Sequence, residues 1–267
     1  MQIQKVAKRQ VMLPHAQKHH WTKGLSLCLS LGVAILVWSL LAIAPATADS
    51  FPNLLKVAQS VGTMINKGVL FTDIGASLFS VGCGFALGFI IALPLAIVMA
   101  WYAPIERIIG PWIQFIRSIP PLAYVPLVVI SAGIGAKAQI IVITLATSLV
   151  MTITIYQGVR NVDPIYIKAA RVLGAKERDI FLHVVIPATT PYIITAVRLG
   201  ATTALTTLIA AETTGASAGL GMRIQSLSQT FDTAPMMMYI ILIGLIGIAI
   251  DHGIRLIERR VTQWQAK

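Results

Sequence analysis

Residues 162–187 read VDPIYIKAARVLGAKERDIFLHVVIP and separate two long apolar runs. Asp163 followed by Pro164 predicts a helix start, because an Asp side chain caps free backbone N–H groups and proline fits the first helical turn. Gly174 predicts the end of this helix, since glycine readily adopts the left-handed conformation of a helix stop. A second short helix is predicted over residues 176–185, ending before the next proline. The stretch therefore predicts a helical hairpin between two spans.

The rest of the chain is dominated by apolar runs long enough to cross a membrane. Of its 267 residues, 56% are hydrophobic and 12% are charged, which is too little charge to cover a soluble domain of this size. A transmembrane helix needs about 20 residues to cross about 30 Å of hydrocarbon. We therefore predict an all-α, polytopic membrane protein with about six transmembrane helices, at residues 25–45, 74–105, 118–136, 138–159, 192–212 and 233–250.

The domain organisation follows from these runs. Residues 51–67 alternate apolar and polar positions with helical spacing, which predicts a short amphipathic helix on the outer surface. The predicted segments are a basic leader at 1–24, the first transmembrane helix at 25–45, a periplasmic segment with the amphipathic helix at 46–72, a core at 73–260 containing the hairpin loop 161–191, and a tail at 261–267.

The Lys and Arg residues are divided unequally between the two sides of the predicted membrane. With the N-terminus inside, 17 of the 21 fall on the cytoplasmic side, and the outer side keeps Lys56, Lys67, Lys137 and Arg223. Cytoplasmic segments carry such an excess of positive charge, so we expect both termini in the cytoplasm. The net charge of +11 therefore indicates membrane orientation rather than a nucleic-acid partner.

The first apolar run has a second interpretation. A basic leader, an apolar core and the small residues Ala46 and Ala48 are typical of a secretory signal with its cleavage site. The run is about 20 residues long, however, whereas a signal core has roughly 7–15. We therefore expect the segment to be retained as a transmembrane helix.

The hairpin loop matches a known family signature in its spacing. Ala169-Ala170 are followed by three residues and Gly174, and nine more residues lead to residues 184–187, VVIP. This pattern resembles the Glu-Ala-Ala, three residues, Gly, nine residues, aliphatic-x-aliphatic-Pro signature of binding-protein-dependent (type I) ABC importer permeases. The sequence departs from the signature at one position, where Lys168 stands in place of the family's Glu.

The resemblance implies that the first helix of the hairpin is a coupling helix, which seats in a cleft of a separate ATP-hydrolysing subunit. The residues that it assigns to ATPase coupling are Ile165, Lys168, Ala169, Ala170, Leu173, Gly174 and Pro187. The chain itself contains no Gly-x4-Gly-Lys-Ser/Thr phosphate loop, so the energy for transport must come from a partner.

Segments from about Asp73 to the C-terminus extend the resemblance to the nitrate/sulfonate/taurine branch of the family. They are residues 117–127 (RSIPPLAYVPL), 133–135 (GIG), 210–212 (AAE), 219–221 (GLG), 221–226 (GMRIQS) and 259–264 (RRVTQW), of which the last two are most similar to taurine permeases. The resemblance implies the importer permease fold and a small anionic or zwitterionic cargo, taurine or an alkanesulfonate. Nitrate, bicarbonate or another small solute is the alternative.

Several residues within the predicted spans are candidates for the translocation path. Consecutive prolines break a helix, and freed carbonyl groups are tolerated at membrane depth only beside protein or a water-filled route. Polar residues in the fifth span add hydroxyl groups and a carboxylate. The candidates are Pro120, Pro121, Tyr124, Thr203, Thr207 and Glu212. These candidates also have structural interpretations. The prolines could form a packing kink, and the threonines could hydrogen-bond within their own helix. Glu212 could form an ion pair or lie at the level of the lipid headgroups.

These features predict the permease subunit of an ATP-driven importer in the bacterial inner membrane, moving solute from periplasm to cytoplasm. The expected partners are ABC ATPase subunits, a periplasmic solute-binding protein, a second permease copy and membrane lipid. A secondary carrier is disfavoured because no repeated pair of broken helices is evident. An intramembrane enzyme is disfavoured because the five histidines lie in the leader, the loop and a span end. We expect no cofactor or metal, since Cys28 and Cys83 lie separately in apolar runs.

Overall fold

A computed structural model describes residues 23–44, 47 and 50–261 of the chain. Most of the predicted leader and tail therefore lie outside the described residues, as do Ala46 and Ala48 of the alternative cleavage site. The chain divides into two units, residues 1–51 and 52–267.

The first unit contains helix α1, Lys23–Ile43, whose residues 24–43 are long and apolar enough to cross a membrane. The chain turns after this helix, where the Thr47 hydroxyl donates to the Leu41 carbonyl at 2.6 Å. Trp38 packs edge-to-face on Phe51, with ring centroids 5.7 Å apart.

The second unit is built from ten α-helices and one π-helical turn, Phe181–Val185, with no strand among the described residues. The helices are α2 (Leu54–Asn66), α3 (Val69–Trp101), α4 (Ala103–Arg117), α5 (Pro121–Ala132), α6 (Ala136–Arg160), α7 (Pro164–Val172), α8 (Glu177–Ile180), α9 (Ile186–Gly215), α10 (Leu220–Gln229) and α11 (Thr233–Val261). Over the described residues of both units, five helical runs are long and apolar enough to span a membrane, or six if α4 and α5 form one bent span. The predicted all-α, polytopic architecture is confirmed.

The core of the second unit is the packing of α6 between α3 and α9. Small residues let these helices approach closely, as is usual in membranes. A Cβ added at Gly84 of α3 would lie 2.7 Å from the Cβ of Ile143 on α6, and one at Gly200 of α9 would lie 2.7 Å from the Met151 sulfur. These distances are shorter than van der Waals contact, so the three helices pack at a spacing that only glycine permits here.

The third predicted span, residues 118–136, is wrong as a single helix. The structure instead has α4 and α5 bent by 98° at a break of three residues. Pro120 and Pro121 cause the break, because each lacks the amide hydrogen that would continue the helical ladder. At about 1.5 Å per residue, the 12 residues of α5 extend only about 18 Å, which is too short to cross a bilayer alone.

The predicted end of the second hairpin helix before Pro187 is also wrong. α8, the π-helical turn and α9 form one unbroken helical run from Glu177 to Gly215. The Ile186 N–H donates to the Phe181 carbonyl, a π-type bond that widens the helix just before the proline. Pro187 directly follows this π-helical turn, so the hydrogen-bond register has already shifted at the point where its N–H is missing.

The predicted amphipathic helix corresponds to α2. The Asn53 side chain caps it by accepting from the Leu55 N–H at 2.9 Å. Val57, Ser60 and Met64 are buried at helical spacing, and α2 packs on α3 and α11 with this face.

Candidate functional site

Helix α7 begins and ends as its sequence predicts. The Asp163 side chain accepts a hydrogen bond from the Ile165 N–H at 2.9 Å. At the other end Gly174 is left-handed, with φ of +83°. The Gly174 N–H donates to the Arg171 carbonyl and the Ala175 N–H to the Ala170 carbonyl, both at 3.0 Å, which is a Schellman stop. The local sequence therefore fixes both the length of α7 and the direction of its exit.

One face of α7 packs on its own loop. Ile167 and Ala170 contact a buried cluster formed by Val162, Ile180 and Val185, which joins the end of α6 to α8 and the π-helical turn. Ala170, assigned to the coupling surface from the sequence, therefore faces partly inward. Ala170 packs against the rest of the hairpin, and its small side chain lets α7 lie close to that buried cluster.

The other face of α7 is apolar and exposed, and we name it the α7 tip. The tip consists of Ile165, Tyr166, Val172 and Leu173, with Val172 and Leu173 88% and 86% exposed. Lys168 and Ala169 are exposed beside it. The sequence analysis missed Val172, which one helical turn separates from Ala169. Because exposed clusters of large apolar side chains are typical of interaction sites, the tip is a candidate docking surface.

The hairpin is closed by an exposed ion pair. The Arg171 guanidinium lies 2.9 Å from the Glu177 carboxylate, with more than half of each side chain exposed. Such pairs contribute about 0–1 kcal/mol, so packing rather than charge holds α7 in place.

The hairpin is joined to the spans through aromatic rings. Phe181, on the π-helical turn, packs edge-to-face on Trp101 at the end of α3, with ring centroids 5.4 Å apart. A cleft of about 280 Å³ lies beside this contact and is bordered by Tyr102, Glu177 and Arg178. The π-helical turn of the hairpin is therefore in direct contact with the end of α3.

At the far end of α9, three side chains cap the N-terminus of α10, and we name this group the α10 clasp. Asp73 of α3 accepts from the Gly219 N–H at 3.2 Å, and Ser77 of α3 accepts from the Leu220 N–H at 2.9 Å. Glu212 of α9 accepts from the Gly221 N–H at 2.6 Å. A helix N-terminus has four free N–H groups and a partial positive charge, so two carboxylates and a hydroxyl suit it.

The clasp is itself cross-linked and buried. Ser77 donates to Glu212 at 2.6 Å, and Asp73 also accepts from Arg223 at 2.8 Å and from the Tyr239 hydroxyl at 2.9 Å. Asp73 and Glu212 are 0% and 1% exposed. The hydrogen bond to Asp73 raises the pKa of the Arg223 guanidinium.

The clasp requires a glycine at position 219, directly before α10. Gly219 has φ of +139°, and a Cβ there would overlap the Glu212 carboxylate, lying 2.8 Å from its Oε2. Glu212, predicted as a path residue, is therefore turned toward α10 in this conformation rather than toward an open route.

The remaining path candidates occupy different environments. Pro120 and Pro121 lie at the bend between α4 and α5, and Tyr124 packs beside the buried Val125. The Thr203 hydroxyl donates to the Leu199 carbonyl of its own helix at 2.9 Å. Thr207 is 1% exposed, and its hydroxyl has no hydrogen-bond partner within the described part of the chain.

Two neighbouring threonines border a cleft instead. Thr202 and Thr206 line a volume of about 430 Å³ between α9 and α11. Arg198 lies in the same cleft, ion-paired with Glu258 and lying 3.4 Å from Asp251 of α11. Arg198 therefore pairs with acidic residues of α11, whereas Glu212 hydrogen-bonds to Ser77 and Gly221. Over the described residues, no group of three or more His, Cys, Asp or Glu side chains is placed to hold a metal ion.

Known proteins resemble this chain along most of its length. A probable ABC transporter permease protein of Brucella abortus is 41% identical over 91% of this chain and 96% of its own. The taurine transport system permease protein TauC of Escherichia coli is 30% identical over 94% of each chain. Among solved structures, a chain of the inward-facing MetNI methionine ABC transporter has a TM-score of 0.65 at 20% identity, covering 72% of this chain and 95% of that one.

The helical architecture is that of a multi-pass membrane protein. The chain belongs to the family of binding-protein-dependent transport system inner membrane components, whose model matches residues 84–263. It is therefore an ABC importer permease subunit with the type I importer fold. Such a subunit is not catalytic itself, and its family implies an ATPase and a substrate-binding protein as partners.

Proposed function

We propose that this permease imports a small sulfonate, taurine or a related alkanesulfonate, from the periplasm to the cytoplasm across the bacterial inner membrane. Support for the cargo comes from the taurine permease TauC, which is similar along 94% of both chains. It also comes from the motifs at residues 117–127, 219–221 and 259–264 that resemble the nitrate/sulfonate/taurine branch.

The coupling role rests on one observation, the exposed apolar α7 tip. Burying a side chain such as leucine contributes about 1.5–3 kcal/mol, so a tip of four large apolar side chains gains substantially from a partner. Val172 and Leu173 project where the Schellman stop ends the helix, and the inner face of α7 is already packed. The tip is therefore the surface that seats on the ATPase, with Lys168, Ala169 and the Gly174 exit beside it.

Two permease copies form the pore in this proposal, and each docks on one ATPase subunit. ATP binding draws the ATPases together and moves the two hairpins, while the binding protein delivers solute at the opposite side. The apolar outer faces of the spans contact lipid. Lys and Arg residues are concentrated on the hairpin side, which supports a cytoplasmic position for the α7 tip.

The translocation path follows α5 and one face of α9. Pro120, Pro121 and Tyr124 border it at the bend, and the threonine-rich face of α9 contributes hydroxyl groups. Thr207 and Glu212 are buried in this conformation, so they join the path only when α9 moves relative to its neighbours.

Reconstitution tests the proposal. The permease, its ATPase and its binding protein are placed in proteoliposomes, and uptake of radiolabelled taurine is measured with and without ATP. We expect uptake that needs ATP and the binding protein. Nitrate and bicarbonate serve as competitors, and competition by either instead of a sulfonate would reassign the cargo.

The coupling surface is tested separately with Leu173→Asp. A charge at the tip forfeits about 2–3 kcal/mol of apolar burial, which weakens ATPase binding by about 30- to 150-fold. Leu173→Met keeps the apolar volume and is the matched control, expected to couple normally. A Val172→Cys variant that reacts with a membrane-impermeant thiol reagent only from outside the cell would overturn the coupling assignment.

A further inference from the structure

The cleft of about 430 Å³ between α9 and α11 has the size and lining of a small-molecule site. Such sites have volumes of about 300–1,000 Å³, mostly apolar walls and a few polar groups that converge. Leu205, Ile248 and Ile254 give this cleft apolar walls. Arg198 of α9 and Asp251 of α11 line the same cleft and lie 3.4 Å apart.

The charged residues of the cleft lie within helices that are apolar enough to span the membrane. Arg198 belongs to the run from Glu177 to Gly215, and Asp251 belongs to the run from Thr233 to Arg260. Ionised side chains are costly in hydrocarbon, and those in membrane spans face the protein interior or a water-filled cavity and mark solute pathways. The cleft is therefore placed to admit a polar solute rather than a lipid chain.

The contact between Arg198 and Asp251 is the loosest of the ion pairs around the cleft. Arg198 is held by Glu258 through Nη2, and Asp251 accepts from Arg255 through Oδ2 at 2.7 Å. The remaining Arg198 Nε and Asp251 Oδ1 are 3.4 Å apart. The Nε–H is buried and donates no hydrogen bond within the described part of the chain. A donor and an acceptor of opposite charge are thus held close together without a hydrogen bond between them.

Two hydroxyl groups extend the polar lining along α9. Thr202 and Thr206 follow Arg198 at intervals of four residues, which places the three side chains on one face of the helix. Both threonines are exposed and line the cleft. Their hydroxyls donate to carbonyls of their own helix, each to a residue four positions earlier at 3.2 Å. A hydroxyl group can rotate to exchange such a bond for one to an anion.

The ionised groups around the cleft balance one another. Two guanidinium groups, of Arg198 and Arg255, are paired with two carboxylates, of Asp251 and Glu258. A solute with a net charge would disturb this balance. A solute with one charge of each sign would instead replace the loose contact with two hydrogen-bonded ones.

We propose that this cleft is a solute subsite that selects a zwitterionic sulfonate, such as taurine, over a sulfonate without an ammonium group. The sulfonate accepts hydrogen bonds from Arg198 Nε and the Thr202 hydroxyl, and the ammonium group donates to Asp251 Oδ1. Glu258 and Arg255 keep their own pairs and hold the two charged side chains in position. The inference rests on the proposed function for its sulfonate, and it adds the site and the need for an ammonium group.

Asp251→Asn tests the ammonium contact, because the amide keeps the size of the side chain and removes its charge. Binding of radiolabelled taurine and of ethanesulfonate, which lacks the ammonium group, is measured with the purified permease–ATPase complex in phosphatidylcholine nanodiscs. The binding protein is omitted, since it would bind solute itself. We expect the Kd of taurine to rise about 10- to 150-fold, equivalent to one hydrogen bond between charged groups, and the Kd of ethanesulfonate not to rise. Asp232→Asn, at an exposed position outside the cleft lining, is the matched control.

Thr202→Val tests the sulfonate contact, because valine has the shape of threonine without its hydroxyl group. We expect the Kd values of taurine and ethanesulfonate to rise together, by about 2- to 12-fold for one neutral donor. Thr195→Val is the matched control. The Thr195 hydroxyl is exposed on the same helix and donates to the Pro191 carbonyl at 2.9 Å, outside the cleft lining.

The ratio of the two Kd values is the decisive measurement. A merely structural role of Asp251 would weaken both solutes equally, so an unchanged ratio in Asp251→Asn would overturn the subsite. Absence of taurine binding by the unmodified complex would also overturn it, and ATP-dependent sulfonate uptake would then leave the proposed function standing. The expected change of ratio in a complex whose uptake is competed by nitrate and by no sulfonate would support the subsite and refute the proposed cargo alone.

Discussion

Replacing Gly219 with alanine should open the α10 clasp. The new Cβ overlaps the Glu212 carboxylate, and alanine is strained at φ of +139°. The Glu212 side chain must move, which removes its hydrogen bonds to Gly221 and Ser77. Two hydrogen bonds to a charged group contribute about 1.5–3 kcal/mol each, and the backbone strain adds about 1–3 kcal/mol. We therefore expect the free energy of opening the α10 N-terminus to fall by about 4–9 kcal/mol.

Hydrogen–deuterium exchange measures this opening directly. Loss of even 3 kcal/mol speeds exchange of the amides at residues 219–222 by more than about a hundred-fold, if they exchange through local opening. Gly75→Ala on α3 is the control, because its Cβ meets nothing within 4 Å and alanine favours the helix. Wild-type protection of residues 219–222 in Gly219→Ala would refute the role given to the clasp.

Two further substitutions test the hairpin and the core. Asp163→Ala removes the cap of α7 and should lower the stability of that helix by about 1 kcal/mol. The loss should appear as faster amide exchange across α7, and unchanged exchange would contradict the capping role. Gly84→Ala places a Cβ 2.7 Å from Ile143 Cβ and should lower the thermal midpoint of the detergent-solubilised protein by several degrees, a cost of about 1–3 kcal/mol. Gly82→Ala, whose Cβ meets nothing within 4 Å, is its control, and equal midpoints for both variants would show that α3 and α6 are not in close contact.

Local chemistry made the hairpin predictable. The start of α7 depends on Asp163 and Pro164, and its end depends on Gly174, so each signal lies within a few residues of the structure that it determines. The apolar runs likewise predict the spans, because hydrocarbon thickness sets their length. Five of the six predicted spans correspond to single helices of the structure.

Side-chain surroundings in α9 could not be read in the same way. Thr202, Thr203, Thr206 and Thr207 occupy adjacent faces of one helix, and the packing of α3, α6 and α11 decides which face is buried. The sequence carries no local mark of that choice, since all four have the same chemistry. Glu212 was missed as a helix cap because its partner Gly221 becomes a helix N-terminus only after the chain turns.

The hydrogen-bond register around each proline decided how it acts. Pro187 continues a helix because a π-helical turn precedes it, whereas Pro120 and Pro121 end one. A π-helical turn depends on a shifted hydrogen-bond register rather than on a particular residue, so composition gives little warning of it.

The length of α9 lets one continuous helix link the hairpin to the α10 clasp. Its 30 residues extend about 45 Å, from the end of the hairpin to the turn that holds Glu212. A shift or rotation of α9 at its hairpin end reaches α10 through the direct hydrogen bond between Glu212 and the Gly221 N–H. A partner that moves the hairpin on one face of the membrane would thereby move the α10 clasp on the opposite face through a single helix.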